Sequence, residues 1–245
     1  MKFLVYNIAY GTGAPANRLD QVLGLHRYLR TKRRRLEKII DCIADFSPDV
    51  SGLLEVDNGS FRTGYQSQGS LIARALHQSA YSAVKYAPGS ISRKVPILRR
   101  QSNIFLTQER KRPCAFHYLD TGMKRLALEI EVDGVRFFLL HLSLRRSVRC
   151  RQLGTLSGLL RSVKTPFLVG GDFNAFGGSG ELKDFMDSLG LASANRQESP
   201  TFPSWHPEKQ LDYILYSKEI EPIRFEVAPI RASDHLPVMF EFKVR

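Results

Sequence analysis

Cysteine is scarce and unpatterned. The 245-residue chain has three, Cys42, Cys114 and Cys150, an odd number with no CxxC spacing. That argues against a disulfide framework and against a thiolate zinc site. Reduced thiols in a cytosol are the simplest reading, and Cys42, on an expected helix, is expected to pack as a small apolar residue. A run of apolar residues long enough to span a bilayer is also lacking, so no stable membrane insertion is expected. Lys2 followed by Phe3-Leu4-Val5-Tyr6, with Ala14-Pro15-Ala16 later, has the outline of a secretory leader. Asn7 interrupts that run and its positive region is a single Lys, so a cytoplasmic location is expected. No Pro/Gly/Ser-rich linker or low-complexity stretch divides the chain, which points to one continuous domain over residues 1–245.

Acidic residues are outnumbered. There are 24 Asp and Glu against 36 Lys and Arg, a formal net charge of +12. A surface this basic attracts polyanions: nucleic acid, phosphorylated metabolites or anionic membrane surface. Charge does not choose among them. The remaining composition, 43% hydrophobic and 24% charged, is that of a globular chain able to bury a substantial core.

Periodicity gives an alternation of strands and helices. Lys2 to Asn7 reads as a buried strand, running into a loop with Gly11 and Gly13. Leu36, Ile39, Ile40, Ile43 and Ala44 mark one face of a helix that Pro48 stops, and Val50 to Glu55 is a second buried strand ending on an acid. Leu71, Ile72, Ala75 and Leu76 suggest another helix, with weaker strand signals at Ser82–Tyr86 and Asn103–Thr107. Leu126–Val132 and Val135–Leu142 flank Asp133-Gly134, a strong hairpin signal. Leu153, Leu156, Leu160 and Val163 mark a helix broken by Pro166; Phe167-Leu168-Val169 then leads into Gly170-Gly171-Asp172. Leu182, Phe185, Met186 and Leu189 give a helix closed by Gly190. Strands at Leu211–Tyr216, Ile223–Val227 and Val238–Val244 complete the set. Two halves share one plan: strand, polar residue, helix, strand, acid. Asn7 and Glu55 carry it in the first, His141 and Asp172 in the second. The expectation is an α/β fold of two sheets packed face to face with helices outside.

The informative residues are polar ones where apolar strands end, since a buried strand has no structural use for a terminal carboxylate. Glu55 ends Ser51-Gly52-Leu53-Leu54 and Asp172 ends the Gly170-Gly171 strand, with Asn174 two residues on. The two glycines are read as letting the backbone turn sharply there and bringing Asp172 close to a ligand. Asp212 lies inside Leu211-Asp212-Tyr213-Ile214-Leu215, where a charge needs a partner, and a His is a natural one. Asp234-His235 precedes the last strand, and His141 follows Phe137-Phe138-Leu139-Leu140. Singly these read equally as solvated acids, Asx turns or a satisfied core histidine. Together, four acids, two Asn and two His at strand ends suit a hard cation, Mg²⁺ or Mn²⁺, rather than zinc. Phosphoryl transfer needs such a cation, a water held by a carboxylate, and donors for the non-bridging oxygens.

The ordered set Asn7, Leu54-Glu55, His141-Leu142-Ser143, Gly171-Asp172-Phe173-Asn174, Leu211-Asp212-Tyr213 and Ser233-Asp234-His235-Leu236-Pro237 resembles the endonuclease/exonuclease/phosphatase superfamily over nearly the whole chain. The resemblance implies a four-layer α/β/β/α sandwich of two packed mixed sheets with helices outside. It implies Glu55 as the main metal ligand, with Asn7 and Asp234 near the metal or its waters. Asp172, helped by Asn174, would orient or deprotonate the attacking water. His235, held by Asp212, would contact the scissile phosphate, and His141 would be a second phosphate donor and general acid. Asn103, in Ser102-Asn103-Ile104-Phe105-Leu106-Thr107, is similar to a family strand motif and stands as a substrate-side candidate. Leu54 stands where the family commonly has Gln, and the tyrosine of the apurinic endonucleases has no clear counterpart among Tyr81, Tyr86 and Tyr118. The lack of a clear tyrosine counterpart counts against a specialised apurinic-site enzyme.

Basic runs bear on the substrate. Lys32-Arg33-Arg34-Arg35 reads more as a solvated face than as a binding element. Arg145 and Arg146, with Arg149, follow the His141 strand and are expected near the mouth of the site, where guanidinium forks suit phosphate. Arg99-Arg100 and Arg110-Lys111-Arg112 flank the Asn103 strand, and Phe202 or Trp205 would equally stack on a base or cover core. Three functions compete: a nuclease acting on DNA or RNA, favoured by the charge; a phosphodiesterase or phosphatase acting on a phospholipid or inositol phosphate head group; and a non-catalytic polyanion-binding module. The expected partner is nucleic acid or another phosphate ester, with no protein partner evident.

Overall fold

The structure, a computed structural model, describes residues 1–17, 19–20, 31, 33–86, 95–96, 98–108, 114–122 and 124–245. Lys32 and the Arg110-Lys111-Arg112 run lie outside the described residues. In chain order the elements are β1 (Lys2–Asn7), α1 (Arg33–Phe46), β2 (Val50–Asp57), α2 (Gln68–Ala75), β3 (Ser79–Val84), β4 (Gln101–Thr107), β5 (Cys114–Tyr118), β6 (Leu126–Val132), β7 (Val135–His141), α3 (Arg146–Leu160), β8 (Phe167–Asp172), α4 (Lys183–Leu189), β9 (Ala192–Ser193), β10 (Asp212–Tyr216), β11 (Ile220–Val227) and β12 (Val238–Val244).

Two six-stranded sheets form, in the orders β11-β12-β1-β2-β4-β3 and β5-β6-β7-β8-β10-β9. Each has one parallel pair at its centre, β1 with β2 and β7 with β8, and antiparallel pairs elsewhere. The parallel pairs are βαβ crossovers, through α1 in the first sheet and α3 in the second. The expected similarity of plan between the halves is therefore a similarity of topology.

Burial divides the core into three apolar layers, as four structural layers require. Leu36, Ile39, Cys42 and Ile43 of α1 pack on Leu4, Tyr6, Leu53 and Ile104 of the first sheet. Phe3, Val5, Leu54, Phe105, Phe137, Leu139 and Phe240 fill the space between sheets. Leu153, Leu156 and Leu160 of α3, with Phe185 of α4, pack on Phe138, Leu140 and Val169. The fold is the expected α/β/β/α sandwich of two mixed sheets. Among the described residues no helix is long and apolar enough to cross a membrane.

Local chemistry accounts for several junctions. Asp133 (φ 50°) and Gly134 (φ 75°) both take left-handed conformations between β6 and β7, the turn whose twist matches a hairpin. Gly190 caps α4 at φ 63°. The two glycines before Asp172 work differently from the expected sharp turn. Both lie within β8. A Cβ on Gly170 would come within 2.7 Å of Phe3, so this glycine lets the sheets approach. A Cβ on Gly171 (φ 151°) would lie 1.9 Å from the Leu140 carbonyl oxygen of β7. Asp172 is delivered by close strand packing, not by a turn.

Candidate active site

The C-terminal ends of the two parallel pairs meet at one edge of the sandwich. Asn7, Glu55, His141, Asp172, Asn174, Asp234 and His235 all line a single cavity of about 200 Å³. Lys124 lines it too, with Leu144, Phe176, Phe202 and Leu211.

Glu55 reaches this cavity because β2 is irregular. Leu53 faces the helices and Leu54 the inter-sheet core, so plain alternation would turn Glu55 back to the helices. The register with β4 shifts between Leu53 and Val56, Val56 takes the helix side, and Glu55 adopts φ 54° as the extra residue. A bulge here re-aims a side chain, a common device beside active sites. The Glu55 Oε1 then lies 3.3 Å from Lys85 Nζ, 3.6 Å from Lys124 Nζ and 3.7 Å from His141 Nδ1. Burial alone would raise the Glu55 carboxyl; Lys85, then Lys124 and His141, outweigh it and hold it well below the usual carboxylate range. Lys85 is itself buried, donates to Tyr10 Oη at 3.3 Å, and is pushed down to about 8 by desolvation.

Asp172 is fixed by directional partners. Its Oδ2 accepts from Asn7 Nδ2 at 3.2 Å and lies 3.2 Å from His141 Nε2 and 3.8 Å from His235 Nε2; Oδ1 accepts the Asn174 N–H at 3.0 Å. Against the upward pull of burial, His141, His235 and Lys124 hold this carboxyl well below its usual range. Asn174, at φ 51°, donates its amide to the Leu142 carbonyl at 2.9 Å. His141 contacts Lys124 through Nε2 and is pushed down to about 4 by burial, then by Lys124 and Lys85. It is neutral near pH 7.

His235 is the opposite case. Its Nδ1 lies 2.8 Å from Asp212 Oδ2, an oxygen that also accepts from Thr201 Oγ1 at 2.6 Å. Burial would lower the imidazole, but Asp212, Asp172 and Asp234 all face it and push it up to about 10. The ring is an imidazolium at neutral pH, with Nε2 toward Asp172 and its face against Phe202 at 4.9 Å. Asp234 accepts from Ser233 Oγ at 3.1 Å, and burial pushes its carboxyl up.

The other sequence candidates lie elsewhere. Asn103 is fully buried on β4, outside the cavity lining, and neither amide atom has a hydrogen-bond partner. Arg145 and Arg146 are exposed at the start of α3, next to Leu144 at the rim but not lining the cavity; Arg146 lies 3.9 Å from Glu181. Arg149 is buried on the same carboxylate. Phe202 lines the cavity, whereas Trp205 packs on His206. Lys85, Lys124 and Thr201 were not read from the sequence. Lys85 had a signal, a charge beside an alternating strand, by the same rule that singled out Asp212.

The donor set fits a hard divalent cation. Glu55 and Asp234 present carboxylate oxygens without sulfur, beside Asn7, whose amide oxygen accepts the Ala9 N–H and whose amide nitrogen faces Asp172, in a site whose formal charge is −1 when Glu55, Asp172, Asp212 and Asp234 are set against Lys85, Lys124 and His235. Among the described residues no group of three or more His, Cys, Asp or Glu side chains is placed to hold a metal ion by itself. A site that contributes one or two carboxylates and leaves other positions to water and phosphate is the Mg²⁺ pattern.

Comparison with known proteins bears on this arrangement. The model of the Endonuclease/Exonuclease/phosphatase family matches residues 4–235. The human nocturnin catalytic domain, solved with bound sulfate, superposes with a TM-score of 0.70 at 25% identity, covering 100% of this chain and 93% of that one. ANGEL2, a 2′,3′-cyclic phosphatase in complex with adenosine-2′,3′-vanadate, gives 0.71 at 16% identity over 99% and 95% of the two chains. A mannosyl-6-phosphatase from Bacteroides thetaiotaomicron gives 0.71 at 15% identity over 99% of each. The last two are similar in fold. Comparison with curated proteins found no match.

Proposed function

The chain belongs to the endonuclease/exonuclease/phosphatase family, and on that premise we propose that it is a Mg²⁺- or Mn²⁺-dependent hydrolase that cleaves phosphodiester bonds of DNA or RNA by in-line attack of water. The observation that carries the reading is the convergence of Glu55, Asp172 and a charged His235 on one small cavity. Solved proteins of this fold include a cyclic phosphatase held with a nucleoside vanadate and a sugar phosphatase, so the fold does not choose the substrate. The net charge of +12 favours a polyanion over a small ester and so supports the nucleic-acid reading.

Each side chain has a task its surroundings suit. Glu55, with Asp234 and Asn7, would hold the cation, and the bound metal would polarise the phosphoryl group and neutralise developing charge. Asp172 lines the cavity with both oxygens held and a poorly basic carboxylate. It therefore orients the attacking water more than it competes for its proton. Asn7 and Asn174 hold that carboxylate and its loop in place. His235 presents Nε2–H and a full positive charge to a non-bridging oxygen, and Asp212 and Thr201 fix its orientation. Lys124 and neutral His141 supply donors on the Glu55 side. Around them, Leu144, Phe176 and Phe202 keep the rim apolar and strengthen electrostatics within.

The test is a substrate panel: supercoiled plasmid, labelled single-stranded DNA and RNA, sphingomyelin and inositol polyphosphates, each with Mg²⁺, Mn²⁺ or EDTA. Metal-dependent nicking or chain cleavage is expected. Release of head group or inorganic phosphate alone would move the substrate to lipid or inositol phosphate. Polyanion binding indifferent to EDTA, with no hydrolysis anywhere, would remove the enzymatic reading.

A further inference from the structure

A second cavity, about 420 Å³, opens between the loop after β1 and the start of α1, and it is walled by cations: Arg34, Arg35, Lys38 and Arg231 line it with Gly13. Among the described residues no acidic side chain lines it. Its neighbour along α1, about 400 Å³, shares Lys38 and Arg231 but is also lined by Asp41 and Asp45, so the cationic character is confined to the first cavity. Like charges gathered around a hollow repel one another, and an anion in the hollow relieves that repulsion.

Details of the lining point the same way. Arg35 is held in place, donating to the Thr12 carbonyl oxygen. Gly13, at φ 85°, keeps the loop close, since a Cβ there would lie 2.8 Å from Arg35 Nε. Arg33 is turned aside to Glu37 at 3.6 Å, but no ion pair occupies Arg34, Lys38 or Arg231 among the described residues. The first turn of α1 carries no acid, so these cations also sit against the positive end of a 14-residue helix.

The cavity shares two chain segments with the catalytic site. Arg231 precedes Asp234 by three residues, and Gly13 follows Asn7 through Ala9–Gly11. Three residues of fully extended chain span at most about 11 Å, so the backbone at Arg231 lies within that distance of the backbone at Asp234, which lines the catalytic cavity.

We propose that the Arg34–Arg35–Lys38–Arg231 hollow is a second phosphate subsite, which takes backbone phosphates of the nucleic-acid strand whose scissile phosphate lies against His235. This deepens the nuclease reading and rests on it for the identity of the strand. Guanidinium forks suit phosphate oxygens, and four cations suit consecutive phosphates better than one small ester.

The experiment compares the full chain with the triple variant Arg34→Gln/Lys38→Gln/Arg231→Gln, which spares Arg35 and every catalytic side chain. Binding of a labelled 20-nucleotide single strand is followed by fluorescence anisotropy in EDTA across a salt series. Hydrolysis of bis(p-nitrophenyl) phosphate is measured with Mg²⁺ or Mn²⁺, and sedimentation with phosphatidylglycerol/phosphatidylcholine vesicles is measured alongside. The expected result is binding weakened about tenfold or more at physiological salt, a salt slope shallower by about 2 for three lost phosphate contacts, and hydrolysis of the small diester unchanged. Oligonucleotide affinity and salt slope equal to the parent's would overturn the proposal. So would absence of oligonucleotide binding by the parent, or a loss confined to vesicles, which would assign the cations to a membrane surface. If the parent binds through these residues but cleaves no nucleic acid in the substrate panel, the subsite stands and the nuclease reading falls. Should the triple variant melt early, the three single Gln variants give the same reading, each with a slope change of about 0.7.

Discussion

Each sheet delivers one acid to the same cavity from a strand of its central parallel pair, Glu55 from β2 and Asp172 from β8, and they present it differently. Glu55 comes out of a bulge at positive φ and faces two ammonium groups, those of Lys85 and Lys124. Asp172 comes off a regular strand end, opposite His141 in β7 and Asp212 in β10, and is held by an amide, a backbone N–H and two imidazoles. Ammonium groups are non-directional partners on flexible stems. A carboxylate neutralised by them is well suited to exchange them for a metal ion. A carboxylate pinned through both oxygens is suited to hold one water in one orientation. On the proposed reading, the same strand–helix–strand plan supplies a metal ligand in one half and a water-positioning group in the other.

Variants can break this division of labour. The largest effect is expected for the groups proposed to act on the reacting phosphate, Asp172 from the second sheet and His235 from the loop before β12: Asp172→Ala or His235→Ala should lower kcat by at least ~10² with the fold intact by circular dichroism. Full activity in either folded variant would remove that residue from the site. In the first half, Glu55→Gln should instead raise the Mg²⁺ concentration needed for half-maximal activity, about tenfold or more, while Asp172→Asn leaves that requirement within about twofold. An equal shift in both would erase the distinction drawn here. At the seam, Gly170→Ala should destabilise by about 1–3 kcal/mol in urea titration, since a methyl group must push into Phe3 between the sheets. The smallest effect concerns the two crossover helices. Cys42 on α1 is buried and pushed up to about 12, mainly by desolvation and then by Asp45, whereas Cys150 on α3 is exposed. A thiol reagent at pH 8 should label Cys150 in the native chain and spare Cys42. The folded value of Cys42 lies above its ordinary 9.0, so its contribution to stability is fully present below pH 9.0 and is lost as pH rises toward about 12. A Cys42→Ala variant should show a weaker decline over that window.

Much of the architecture was legible because the apolar periods are strong where layers are thick. The β1, β2, β7 and β8 runs, and the α1 and α3 faces, are buried on the sides the spacing indicates. The edge strands β5 and β9 were not read. β9 has two residues, and β5 exposes Ala115 and Phe116, so neither carries a clear alternation. In the site, Asn7, Glu55, His141 and Asp172 were visible as polar ends of apolar runs, and Asp212 as a charge that needed a partner, found in His235. Lys124 was invisible. It is one of 36 cations, in a short link without periodicity, and only the approach of β6 to β7 brings it to His141. The Glu55 bulge was equally hidden, because Leu54-Glu55-Val56 reads as plain alternation until Val56 is seen to share the helix side with Leu53.

Because one acid rides on each sheet, the catalytic geometry exists only across the boundary between them. Neither half holds a working set of groups, although each has its own helices and its own apolar layer. Activity is therefore a sensitive gauge of how the two sheets are seated. A treatment that lets them slide or part by about an ångström would silence turnover while helicity and strand content stay constant, so inactivation should precede the loss of secondary structure on a denaturant ramp.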